Sequence, residues 1–140
     1  MSSIAFTVPG QPQGKARART FRTRGVTRTV TPGKTVLYEN LIKVSYMEKY
    51  GDVISFREGP VQVEINAFFG VPKSTSKKKS AAMIIGDIKP TKKPDADNIA
   101  KAVLDAMNGI VYHDDTQVCR LVVSKYYSDQ PRIEVQVSIL

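Results

Sequence analysis

Apolar and polar residues alternate with a period of two in three stretches of the chain, and two other stretches carry apolar residues at helical spacing. Ile4, Phe6 and Val8 share one side of a short segment that Pro9-Gly10 brings to a stop, as in a half-buried strand. Val61, Val63, Ile65, Ala67 and Phe69 do the same within VQVEINAFF, and Ile133, Val135, Val137 and Ile139 alternate with Arg132, Glu134, Gln136 and Ser138. Residues 118–126 read as a further strand, joined to the final one by a Ser-Asp-Gln-Pro turn. Val26 to Val30 has some strand character within what reads as a long loop or loose hairpin.

From about Lys34 to Tyr50 the spacing is helical. Leu37, Leu41, Val44 and Met47 fall on one apolar face, Glu39 can pair with Lys43, and Gly51 suits a C-cap. A short helical piece is expected around Ser80 to Ile85, and a second main helix over about Asp97 to Met107, ending at Asn108-Gly109. In that helix Ile99, Val103, Ala106 and Ile110 form the core-facing stripe, while Asp97, Lys101, Asp105 and Asn108 lie on the opposite half. The order β-α-β-α-β-β predicts a single α+β domain over residues 1–140, a mixed β-sheet with two main helices packed on it.

Composition adds little until charge is considered. The 140 residues are 41% hydrophobic and 24% charged, ordinary for a globular domain. The one cysteine, Cys119, sits in an apolar run and is expected to be buried and inert. The N-terminus lacks the charged and apolar regions of a signal peptide, and no apolar run approaches membrane-spanning length. A soluble, cytoplasmic protein is expected.

The formal charge of +8 is concentrated in two places. Residues 15–28 carry six Lys or Arg and no acid, and residues 73–93 carry seven Lys and one acid, so the rest is mildly acidic. Basic loops at about 10–33 and 72–93 are therefore expected to meet a phosphate backbone. Their candidate DNA-binding residues are Lys15, Arg17, Arg19, Arg22, Arg24, Lys73, Lys77, Lys78, Lys79, Lys92 and Lys93.

Against that background, residues 93–115 gather five of the thirteen acids: Asp95, Asp97, Asp105, Asp114 and Asp115. Carboxylates repel phosphate unless a cation lies between them. Asp95 and Asp97 converge if the segment before the helix is extended, and a strand starting beside the helix could bring Asp115 to them. Helix capping and an Asp97–Lys101 surface pair would explain a lone Asp-x-Asp, but a cap needs only one carboxylate. Hard divalent cations take such oxygen ligands, activate water and stabilise charge on attacking and leaving oxygens. No zinc-ligand spacing, P-loop or GxGxxG is present, and His113, the only histidine, reads as structural.

Lys93-Pro94-Asp95-Ala96-Asp97-Asn98, then Lys101, Leu104-Asp105-Ala106, Asn108-Gly109 and Asp114-Asp115-x-Gln117-Val118 together resemble the RusA family of Holliday junction resolvases. These are small endodeoxyribonucleases, often encoded by phages or prophages. The resemblance implies that Asp95, Asp97 and Asp115 are the catalytic, metal-binding carboxylates, that Lys101 is the catalytic lysine, and that Asp114 is a further candidate ligand. It also implies a homodimer that needs Mg²⁺ or Mn²⁺, uses no small-molecule cofactor, and nicks four-way DNA symmetrically in recombination and repair. Two other readings stand beside it. One is a non-catalytic, basic nucleic-acid-binding module, and the other is a metal nuclease for flap or duplex DNA.

Overall fold

The computed structural model describes residues 2–16, 18–30 and 32–140, with the backbone alone at residue 19. Strands β1 (Ser3–Pro9), β2 (Arg19–Thr23) and β3 (Val26–Val30) precede helix α1 (Gly33–Tyr50). Then come β4 (Val61–Gly70), α2 (Lys77–Ile84), α3 (Ala96–Met107), a 3-10 turn (Asp115–Gln117), β5 (Val118–Ser128) and β6 (Arg132–Ile139). The main sheet has the order β1-β6-β4-β5, and β2 and β3 form a separate two-stranded hairpin. β6 runs antiparallel to both β1 and β4, whereas β5 runs parallel to β4. A parallel neighbour needs a crossover, and the segment carrying α2, α3 and the 3-10 turn supplies it. The α+β class, the mixed sheet and the element order agree with the sequence pattern; α2 makes a third helix, and the first basic segment forms the β2–β3 hairpin.

Alternation places the core. Val61, Val63, Ile65, Ala67 and Phe69 of β4 are buried, flanked by Ile4, Phe6 and Val8 of β1 and by Ile133, Val135 and Val137 of β6. α1 and α3 pack on this face, and Ile99, Val103 and Ala106 of α3 lose all solvent contact. With one side of α3 fixed inward, Asp97 and Lys101 are left exposed on the other. Among the described residues, no helix is long and apolar enough to cross a membrane.

Two expectations need correction. The buried face of α1 is Thr35, Tyr38, Ile42 and Tyr46, whereas Leu37, Leu41 and Val44 are exposed. Tyr38 and Tyr46 bring larger rings to the core, and the Tyr46 hydroxyl donates to the Val53 carbonyl at 2.6 Å. Cys119 is exposed, as are Leu121 and Val122. Its apolar run lies on β5, the last strand of the sheet among the described residues.

Candidate active site

The loop after β1 is held tightly against the start of α3. The Lys15 backbone N–H donates to the Asn98 carbonyl at 3.0 Å. A side chain at Gly14 would meet the Asn98 Cβ at 2.9 Å and the Pro94 Cβ at 3.0 Å, so only glycine permits this approach. Lys15 then reaches between two helices, with its Nζ 2.9 Å from Glu39 of α1 and 3.1 Å from Asp105 of α3. Burial works against its charge, but the hydrogen bonds and charges of Glu39 and Asp105 outweigh that cost and raise its pKa above 10.5. The structure thus ties Lys15 to carboxylates, and Glu39 takes Lys15 as its ion-pair partner rather than Lys43. Nothing local foretold this, because the partners are 24 residues apart.

Lys15→Met is expected to cost about 1–2 kcal/mol after discounting for partial exposure, seen as a Tm lower by about 3–8 °C. A raised lysine pKa contributes stability that is complete below 10.5 and is lost only as pH rises through the higher folded value. Thermal melts at about pH 7 and about pH 9 should therefore show the same gap between wild type and variant. A gap that closes by the higher pH would contradict the ion-pair assignment.

At the N-terminal end of α3, Asp95 occupies the N-cap with extended backbone angles, yet its side chain makes no capping hydrogen bond. Its backbone carbonyl accepts from Ile99 at 3.0 Å, and its exposed carboxylate remains free of that task. Asp97, in the first turn, is also exposed. Among the described residues it forms no ion pair with Lys101, so the surface pair weighed from the sequence is absent. Lys101 stands exposed one turn further along. Beside Asp95 lies a cleft of about 580 Å³ whose walls include Lys15, Lys34 and Lys93.

The other end of α3 positions the second acidic group. Gly109, at φ +73°, turns the chain back, and its N–H donates to the Tyr112 carbonyl. Tyr112 is fully buried and donates its hydroxyl to the Leu104 carbonyl at 2.8 Å. Burial, then the charges of Asp115, Asp105 and Asp114, push its pKa far up. The backbone N–H of exposed His113 donates to Gln117 Oε1 at 2.9 Å and to the Phe56 carbonyl at 3.3 Å.

Asp114 and Asp115 play different parts. Asp114 accepts from the Thr116 N–H at 3.1 Å, and Gln117 Oε1 accepts from the Asp114 N–H at 3.0 Å, forming a reciprocal capping box. The Thr116 N–H, and after it a hydrogen bond shared with the Asp115 side chain, hold the Asp114 carboxyl below its usual range. Asp115 is tethered by its backbone N–H to Asn108 Oδ1 at 3.0 Å. Burial, Asp114 and Asp105 raise its pKa, the signature of crowded negative charge. The roles of Asn108 and Gln117 were visible in the sequence only as members of a motif; Tyr112 carried no signal beyond its apolarity.

The two acidic groups lie at opposite ends of α3. Asp97 and Asn108 are eleven residues apart, about 16 Å along the helix axis. Asp115 is anchored by its backbone N–H at the Asn108 end, whereas Asp95 and Asp97 stand at the other. Among the described residues, no three of His, Cys, Asp and Glu lie together closely enough to hold a metal ion. The donor chemistry nevertheless suits a hard divalent cation. Asp95, Asp97, Asp114 and Asp115 are all carboxylates without an ion-pair partner among the described residues.

The basic segments are largely exposed. Arg22 and Arg24 are exposed on the β2–β3 hairpin; Arg17 and the side chain of Arg19 lie outside the described residues. Lys73, Lys77, Lys78, Lys79, Lys92 and Lys93 are exposed. The second segment is pinned to β5 by Lys92 over the Tyr127 ring and by Lys125, which donates to the Lys92 carbonyl at 2.7 Å.

The family model described as Endodeoxyribonuclease RusA matches residues 9–138. A Bacillus subtilis (strain 168) protein described as "Uncharacterized protein YqaN" is 37% identical over 139 residues, covering 98% of this chain and 96% of that protein.

Proposed function

This chain belongs to the RusA family of endodeoxyribonucleases, and from that membership we propose that it resolves four-way DNA junctions by paired, symmetric nicking in recombination and repair. The observation that carries the reading is the set of carboxylates at the two ends of α3 that have no ion-pair partner among the described residues, on a chain whose loops are basic. Capping does not explain Asp95, because its side chain caps nothing. A module that only bound DNA would gain nothing from these acids.

The family generally needs a divalent metal, and Mg²⁺, with Mn²⁺ as a substitute, fits the all-oxygen donors. Asp95, Asp97 and Asp115 would hold it; Asp114 is occupied by its capping box, which favours Asp115 as the ligand. When bound, the ion supplies Lewis-acid stabilisation of the phosphodiester and lowers the pKa of water. Lys101, exposed between the two acidic ends, stabilises charge developing on the phosphate. In the balanced reaction a water oxygen bonds to phosphorus and the P–O3′ bond breaks. The 3′ oxygen leaves with a proton, giving 5′-phosphate and 3′-hydroxyl ends.

The separation along α3 bears on assembly. Asp95 and Asp97 stand at one end of α3 while the Asp115 backbone is tied to Asn108 at the other, which favours ligands drawn from two chains over one. A second chain across a twofold axis resolves this: Asp95 and Asp97 of one protomer meet Asp115 of the partner subunit. A twofold dimer also supplies two sites for two cuts. A cytoplasmic setting, where the DNA lies, follows from the same reading.

Lys77, Lys78 and Lys79 occupy the first turn of α2, behind a Ser76 cap. Cations there oppose the helix dipole, so they do not serve helix stability, whereas a phosphate would be favoured by both the dipole and the charges. Replacing all three with Ala is expected to reduce the salt slope of junction binding by up to about 3, at about 0.9 per phosphate contact. Fluorescence anisotropy across a salt series measures it, and an unchanged slope would remove α2 from the DNA interface.

A further inference from the structure

α1 carries a second apolar face that the fold leaves uncovered. Leu37, Leu41 and Val44 are 72%, 36% and 49% exposed. At 100° per residue this face is centred about 130° from the buried one. The stripe ends in opposite charges: Lys34 before it and Glu48 after it, both exposed and each seven residues from Leu41. Among the described residues neither forms an ion pair. Read from the N-terminal end, the surface is therefore positive, then apolar, then negative.

Such a surface is complementary to itself turned end for end. Two α1 helices crossing antiparallel about a twofold axis at Leu41 would stack leucine on leucine. Lys34 of each would then face the Glu48 of the other, about two turns from the axis. A parallel pair would set like charges together. We propose that the exposed face of α1 is the interface with a second copy of this chain, arranged antiparallel with Leu41 at its centre. The proposal rests on the homodimer reading above and gives that dimer its surface.

Two further points favour this occupant. DNA finds no donor in a stripe of Leu and Val, whereas an isologous contact needs a self-complementary patch. Lys34 also lines the cleft that contains Asp95, so a partner seated on this face adjoins the end of the site that lacks its third carboxylate.

Sedimentation velocity on the full chain separates the outcomes. Wild type should be a dimer, and Leu41→Glu a monomer with unchanged circular dichroism. Lys34→Glu and Glu48→Lys should each weaken the dimer by about tenfold, and the double variant should recover wild-type association. The charge-reversal pair keeps the test sound if Leu41→Glu misfolds. A wild-type dimer that none of these variants weakens would overturn the α1 surface while leaving the homodimer standing. A monomeric wild type would overturn both.

Discussion

Asp97→Asn should lose strand cleavage by about a thousandfold or more while still binding a four-way junction. The substitution removes one negative charge and little volume from an exposed position in the first turn of α3. Its carboxylate has no ion-pair partner among the described residues, so stability should change little. Helix-dipole loss is worth about 0.3–1 kcal/mol at such a site. Junction affinity without metal should hold or rise, because a repulsion of phosphate is removed. Gel shift in EDTA, cleavage in Mg²⁺ and a thermal melt on the same preparation separate these effects. Cleavage within about tenfold of wild type would release Asp97 from the active site.

Asp97→Asn and Asp115→Asn, each inactive alone, should regain nicking when mixed. In a site shared between chains, a heterodimer of the two variants has one site with both lesions and one with neither. Random exchange of an equimolar mixture makes about half the dimers mixed, so about a quarter of all sites are restored. The products should be single nicks rather than paired cuts. If all three carboxylates came from one chain, every site in the mixture would carry a lesion and no activity would return. The prediction depends on the length of α3 between Asp97 and Asn108 and on the Asn108 bond that fixes Asp115. Mixing must allow subunit exchange, which fluorescently labelled chains can verify.

What could be read from the sequence was local. β4 and β6 follow from strict alternation, and the buried side of α3 from Ile99, Val103 and Ala106 at helical spacing. The acidic residues and the basic segments were legible as composition within short windows. The misreadings came where two local answers competed or where partners were remote. α1 offers both an aliphatic and an aromatic face, and periodicity does not say which one the sheet receives. Cys119 lies in an apolar run, but nothing in that run says that β5 ends the sheet. The destination of Asp115 depends on the turn at Gly109 and on Gln117, whose side-chain amide donates to the Phe56 and Gly59 carbonyls. The clamp of Lys15 on Glu39 and Asp105 needs three separate segments to be folded before it exists.

That this chain is a metal-dependent junction resolvase is tested most directly by cleavage of a synthetic, end-labelled four-way junction with and without Mg²⁺. Linear duplex of the same sequence serves as the control. A junction resolvase gives paired nicks at symmetric positions on opposing strands, dependent on the metal and absent from the linear duplex. Binding without cleavage in both Mg²⁺ and Mn²⁺, or equal cutting of junction and duplex, would contradict it.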